Sequence, residues 1–88
     1  MRSPSDSSTA CFAVHAEADP SVMPRVMEQF AKRGLVPSQW HSSAGRAGAP
    51  ELVIDIQVAD LAPDMAERIA ESLRQIVRVN AVLMGAKG

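Results

Sequence analysis

The stretch ELVIDIQVA, residues 51–59, restricts this chain more than any other. Leu52, Ile54, Ile56 and Val58 fall on one face of an extended segment, and Val53, Asp55, Gln57 and Ala59 fall on the other. That is a strand whose first face must be covered by another layer. A second alternating segment, ACFAVHAEA at 10–18, turns Phe12, Val14 and Ala16 one way and Cys11, Ala13, His15 and Glu17 the other.

Between them runs a helical pattern. Val22, Val26 and Phe30 recur four residues apart, with Met23, Met27 and Ala31 beside them, opposed by Arg25, Glu28, Gln29 and Lys32. Pro20 and Pro24 fix where this helix starts. A proline is harmless only within the first turn, so Ser21 is the expected cap and Asp19-Pro20 the end of a tight loop. The helix's positive end then opens onto that loop and could receive a carboxylate. Gly34 is the expected stop, since a left-handed residue there is cheap only for glycine. Arg33 is expected to face water.

Residues 35–42 are expected to form an extended strand at a sheet edge, because Pro37 cannot donate to a central ladder. SSAGRAGAP, 42–50, reads as a turn or loop. After the 51–59 strand, Asp60 is the expected cap of a second helix with Pro63 in its first turn. Met65, Ile69, Leu73 and Ile76 make its inner stripe, and Asp64, Glu67, Arg68, Glu71 and Arg74 face water. VRVNAVLM, 77–84, is the last strand. The order strand, helix, strand, strand, helix, strand predicts an α+β, ferredoxin-like βαββαβ sandwich: two helices on one face of a four-stranded antiparallel sheet. Residues 1–9 are expected to be a disordered polar lead, 10–85 the domain, and 86–88 a frayed end.

Composition narrows function. Nine Lys and Arg against ten Asp and Glu give a formal net charge of -1, without the basic face that nucleic acid requires. Phe12, Phe30 and Trp40 are the aromatics, too few for base-stacking platforms. No apolar run approaches the roughly 20 residues that span a bilayer, and the opening MRSPSDSSTA lacks a signal peptide's apolar centre. Cys11 is the one cysteine, so no internal disulfide forms and a cytoplasmic location is expected.

The segments VHAEADPSVMPRVMEQFAKRGLVPSQW, ELVIDIQV and AERIAESLRQIVRVNAVLM together resemble the ACT domain. The marks are a first strand ending in a proline loop, a helix of pattern V-x-x-R-V-x-x-x-F-x-x-R-G, and a second helix that runs into a last apolar strand. Within that family the chain resembles the short, single-domain small regulatory subunits of acetolactate synthase. The resemblance implies a non-catalytic protein without cofactor or metal. Its implied partners are a second copy of itself, joined by edge strands, and the large catalytic subunit of a thiamine-diphosphate enzyme of branched-chain amino-acid synthesis. It also implies a branched-chain amino acid bound between the first loop and helix start of one copy and the edge strand of the other. On this chain those residues are Asp19, Pro20, Ser21, Val22, Gly34, Leu35 and Val36, with Leu35, Val36 and Trp40 at the interface. The chain departs from the amino-acid-binding pattern at Ala18, where Asn is usual, and at Ser21, where Gly is usual. Both changes remove ligand contacts, so only a weak response to valine is expected.

Two alternatives fit the same fold: a free-standing ACT-type amino-acid sensor, and a small acylphosphatase-like hydrolase. The hydrolase would need an arginine in the loop after the first strand, and ADPSV has none. Cys11 and His15 would lie about 13 Å apart along their strand, too far to share a metal, and nothing in the sequence orients His41 toward Cys11.

Overall fold

In the computed structural model, residues 8–45 and 51–87 are described. The chain runs β1 (Thr9–Glu17), α1 (Val22–Ala31), β2 (Gln39–Ala44), β3 (Glu51–Ala59), α2 (Pro63–Arg74) and β4 (Val79–Lys87). The strands lie in the order β2-β3-β1-β4, every neighbouring pair antiparallel, which is the expected βαββαβ sandwich.

The alternation of β1 and β3 sets the layers. Phe12, Val14, Ala16, Leu52, Ile54, Ile56 and Val58 are buried against the helices, as their phase requires. Val22, Val26 and Phe30 from α1 and Ile69, Ala70 and Leu73 from α2 fill the space above them. Phe30 meets Phe12 edge to face, with ring centroids 5.5 Å apart and planes at 75°, a favoured aromatic geometry. Met65 and Ile76 pack only partly against this core. The stripe of α1 is narrower than its sequence suggests: Met23 and Met27 are 40% and 42% exposed.

Several boundaries differ from the sequence reading. β2 begins at Gln39, past Pro37, so Leu35 and Val36 lie in the connection before the edge strand rather than within it. β2 also takes Ser42–Ala44 from the expected loop, whose residues 46–50 lie outside the described residues. Asp60 does not cap α2. It has a left-handed φ of 56°, Ala62 occupies the cap position, and Pro63 is the first helical residue. The expected disordered lead, 1–9, falls outside the described residues up to Ser7, and Thr9 already pairs with Ala59 and Lys87. Ala86 and Lys87, expected to fray, pair with Ala10 and Thr9.

Gly34 ends α1 as expected. Its φ is +72°, its N–H donates to the Ala31 carbonyl at 2.9 Å, and the Leu35 N–H donates to Phe30 at 3.0 Å. These are the two closing bonds of a left-handed helix stop. Arg33 does not simply face water. It donates to the Gln29 carbonyl at 2.7 Å and to the Ser72 hydroxyl at 3.2 Å, tying the end of α1 to α2.

Candidate functional site

The loop between β1 and α1 is built around one carboxylate. Asp19 Oδ1 accepts the Ser21 N–H at 2.9 Å and the Ser21 hydroxyl at 2.6 Å. The Asp19 carbonyl accepts the Val22 N–H at 3.1 Å, and Pro24 has no N–H to offer. Ser21 therefore stands at the cap position, but its hydroxyl does not cap the helix. The Asp19 carboxylate instead folds onto the cap residue Ser21, and the Asp19 carbonyl takes the N–H of the first helical residue. The Ser21 hydroxyl, and then the Ser21 N–H, hold the Asp19 carboxyl below its ordinary value of 3.8; the charges of Arg78 and Arg25 add to this, and partial burial works against it.

Arg78 holds the loop from outside. Its guanidinium lies 3.2 Å from Glu17 Oε1 and 3.5 Å from Asp19 Oδ2. Its carbonyl accepts the Glu17 N–H at 2.9 Å, and its φ is +78°, a conformation seldom adopted by a non-glycine residue. Glu17 stands opposite Glu51 across β1 and β3, an unfavourable pairing of like charges. Each finds a separate cation, Glu17 with Arg78 and Glu51 with His15 Nδ1 at 3.3 Å when that imidazole is protonated.

The remaining expected site residues lie elsewhere. Because α1 runs the length of the sheet, Gly34, Leu35 and Val36 are at the opposite end from Asp19, Pro20, Ser21 and Val22, separated by about 15 Å of helix. One chain does not bring the two groups together. Leu35 is half-buried against the core, and Val36 is 86% exposed. Trp40 sits on β2 opposite Ile56 with one side packed on the core.

Arg25, Glu28, Gln29 and Lys32 line a polar furrow against α2. The other flank of α1, carrying Met23 and Met27, therefore turns toward the β2 border of the sheet. On the face away from the helices, Cys11 and His41 are separated by the whole of β3. Among the described residues, no group of His, Cys, Asp and Glu is arranged to hold a metal ion, and no helix is long and apolar enough to cross a membrane.

A family model described as an ACT-like domain matches residues 3–87. The chain belongs to the ACT-like domain family. No curated protein matches the sequence. The fold is similar to that of the ACT domain from GTP pyrophosphokinase of Chlorobium tepidum, with 12% identity and a TM-score of 0.73 over 86% of this chain and 95% of that one. It is also similar to the C-terminal domain of the MgtC protein from Mycobacterium tuberculosis, with 13% identity and a TM-score of 0.72 over 99% and 94%. A third likeness is to the regulatory subunit of aspartate kinase from Thermus flavus, with 14% identity and a TM-score of 0.61 over 88% of this ACT-like domain and 50% of that chain. At such identities these likenesses speak to fold. ACT domains are in general regulatory rather than catalytic.

Sequence reasoning missed Arg78 and Arg33. Neither carries a local signal: Arg78 reaches the loop only because β4 closes against β1, and Arg33 reaches Ser72 only because the helices lie side by side.

Proposed function

We propose that this ACT-like domain is a cytoplasmic regulatory subunit that pairs with a second copy of itself through β2. In the same reading, the dimer binds and activates the large catalytic subunit of an acetolactate synthase-type, thiamine-diphosphate enzyme of branched-chain amino-acid synthesis. The observation that carries the pairing is the separation of the two site groups within one chain. When β2 pairs antiparallel with its two-fold mate, the Asp19–Val22 end of one copy comes beside the Gly34–Val36 end of the other, and one continuous site forms from two chains.

Two further features support β2 as the edge used. Exposed Met23, Met27 and Val36 lie along that border, where they would be covered on pairing. Among the described residues, no side chain hydrogen-bonds to the backbone of Gln39–Ala44, so none of them covers this edge. A bare edge is a template for strand addition.

A branched-chain amino acid entering between the copies would have to displace Asp19 from the Ser21 donors. With Ala18 and Ser21 in place of the usual Asn and Gly, weak binding follows. The test is reconstitution. The purified protein is added to the large catalytic subunit of acetolactate synthase from the same organism, and acetolactate formation is followed with and without valine. A rise in rate that Val36→Glu removes supports the proposal. No rise and no co-elution would refute the partner, and valine binding by the dimer alone would then identify a free-standing sensor.

A further inference from the structure

β4 borders the sheet on the side opposite β2, and among the described residues it is only half guarded. Near its middle, Arg74 Nη2 donates to the Val82 carbonyl at 3.1 Å, so that carbonyl faces away from β1. Backbone groups alternate in direction along an antiparallel strand, and the register with β1 is unbroken from Ala81 to Lys87. Met84 and Ala86 therefore also turn their N–H and C=O groups outward. Beside them a groove of about 460 Å³ runs between the start of α2 and the end of β4. Ala10, Leu61, Ala66 and Met84 give it an apolar lining, and the exposed carboxylates Asp64 and Glu67 stand over it. Neither carboxylate is held in an ion pair among the described residues.

From this juxtaposition we infer that the end of β4 and the α2 groove form a docking surface for an extended, basic segment of a partner polypeptide, added to the sheet as a short fifth strand. Each part of the surface selects one property of the occupant. The outward groups of Met84 and Ala86 need a backbone ladder. The apolar lining takes one aliphatic side chain, and Asp64 and Glu67 take a Lys or Arg two positions along the same face. Arg74 closes the edge at Val82, so pairing is confined to a few residues and a long edge-to-edge dimer through β4 is disfavoured. The surface lies on the far border from β2 and does not depend on the pairing proposed there.

The test uses the isotope-labelled full chain and three N-acetylated, C-amidated hexapeptides: Thr-Leu-Thr-Arg-Thr-Val, the same with Glu for Arg, and the basic one with its third residue N-methylated. The basic peptide should move the amide signals of residues 61–67 and 83–87, with a dissociation constant below about 1 mM, the scale of a short strand contact. Glu67→Lys should weaken it about tenfold, one charge pair's worth at a partly exposed site. Ala86→Pro removes one outward N–H while leaving the β1 ladder intact, and should abolish binding. A proline on an edge is tolerated, and an unchanged spectrum elsewhere establishes that the variant is folded. Equal binding of the acidic peptide, full binding by Ala86→Pro, signal changes confined to the β2 border, or no binding would each overturn the inference.

Discussion

Replacing Arg33 by alanine should destabilise this domain about as much as replacing Gly34 by alanine, although a helix-end arginine ordinarily counts as surface. At Gly34 the cost is backbone strain alone. The φ of +72° is the left-handed region, and a Cβ built there meets nothing within 4 Å. Left-handed strain costs roughly 1–2 kcal/mol for a residue with a Cβ, offset in part by the smaller entropy of the unfolded chain, for a net loss of about 1 kcal/mol. Gly34→Asn should cost less than Gly34→Ala, because asparagine tolerates this region, and Gly34→Val should cost more.

At Arg33 the cost is different. The variant loses a bond from a charged donor to the Gln29 carbonyl at 2.7 Å and another to Ser72 at 3.2 Å. Bonds to charged groups contribute about 1.5–3 kcal/mol when sheltered; Arg33 is only half-buried, so about 1 kcal/mol is expected. For a domain of this size, 1 kcal/mol lowers the melting temperature by about 4–8 °C. Thermal unfolding of Arg33→Ala, Ser72→Ala and the double variant separates the causes, with a coupling of about 0.5 kcal/mol expected between the two positions. Arg33→Ala within about 0.5 kcal/mol of the parent would refute the tether. Gly34→Ala as stable as the parent would refute the left-handed stop.

Two other predictions concern the loop and the core. Ser21→Ala removes the largest cause of the lowered Asp19 value, so that carboxyl should titrate closer to 3.8, as followed by NMR. Because the folded value is depressed, the stabilisation is complete above about pH 4 and is lost as pH falls below 3.8 toward the folded value, so the variant should lose less stability on acidification than the parent. Phe30→Ala empties the contact with Phe12 and should cost about 3–5 kcal/mol in chemical denaturation; a loss under 1 kcal/mol would mean that the helices close the gap.

Element type was legible wherever a period was strong. β3 and β1 follow from their alternation, and both helices from their apolar spacing, because burial on one face is what that spacing records. Ends were less legible, since several residues suit more than one role. Leu35 and Val36 are apolar and follow a glycine, as strand residues do, yet the chain needs them to pass Pro37 before β2 can begin. Asp60 is a favoured cap residue, but here it takes a left-handed turn while Pro63 starts the helix. The candidate site was half legible. Pro20 and Pro24 located the helix start, and an Asp and a Ser stood ready there; that Asp19 would hold Ser21, and that Arg78 just before the last strand would pair with Asp19, had no local pattern to announce it.

The most direct test of the central claim is an isotope-filtered NMR experiment on an equal mixture of labelled and unlabelled protein, run beside sedimentation. Pairing through β2 gives a species of twice the 9.4 kDa chain mass, with contacts between copies from the Val36 methyls to Pro20 and Ser21. A 9.4 kDa species, or contacts between copies that arise instead from Leu83 and Met84, would contradict it.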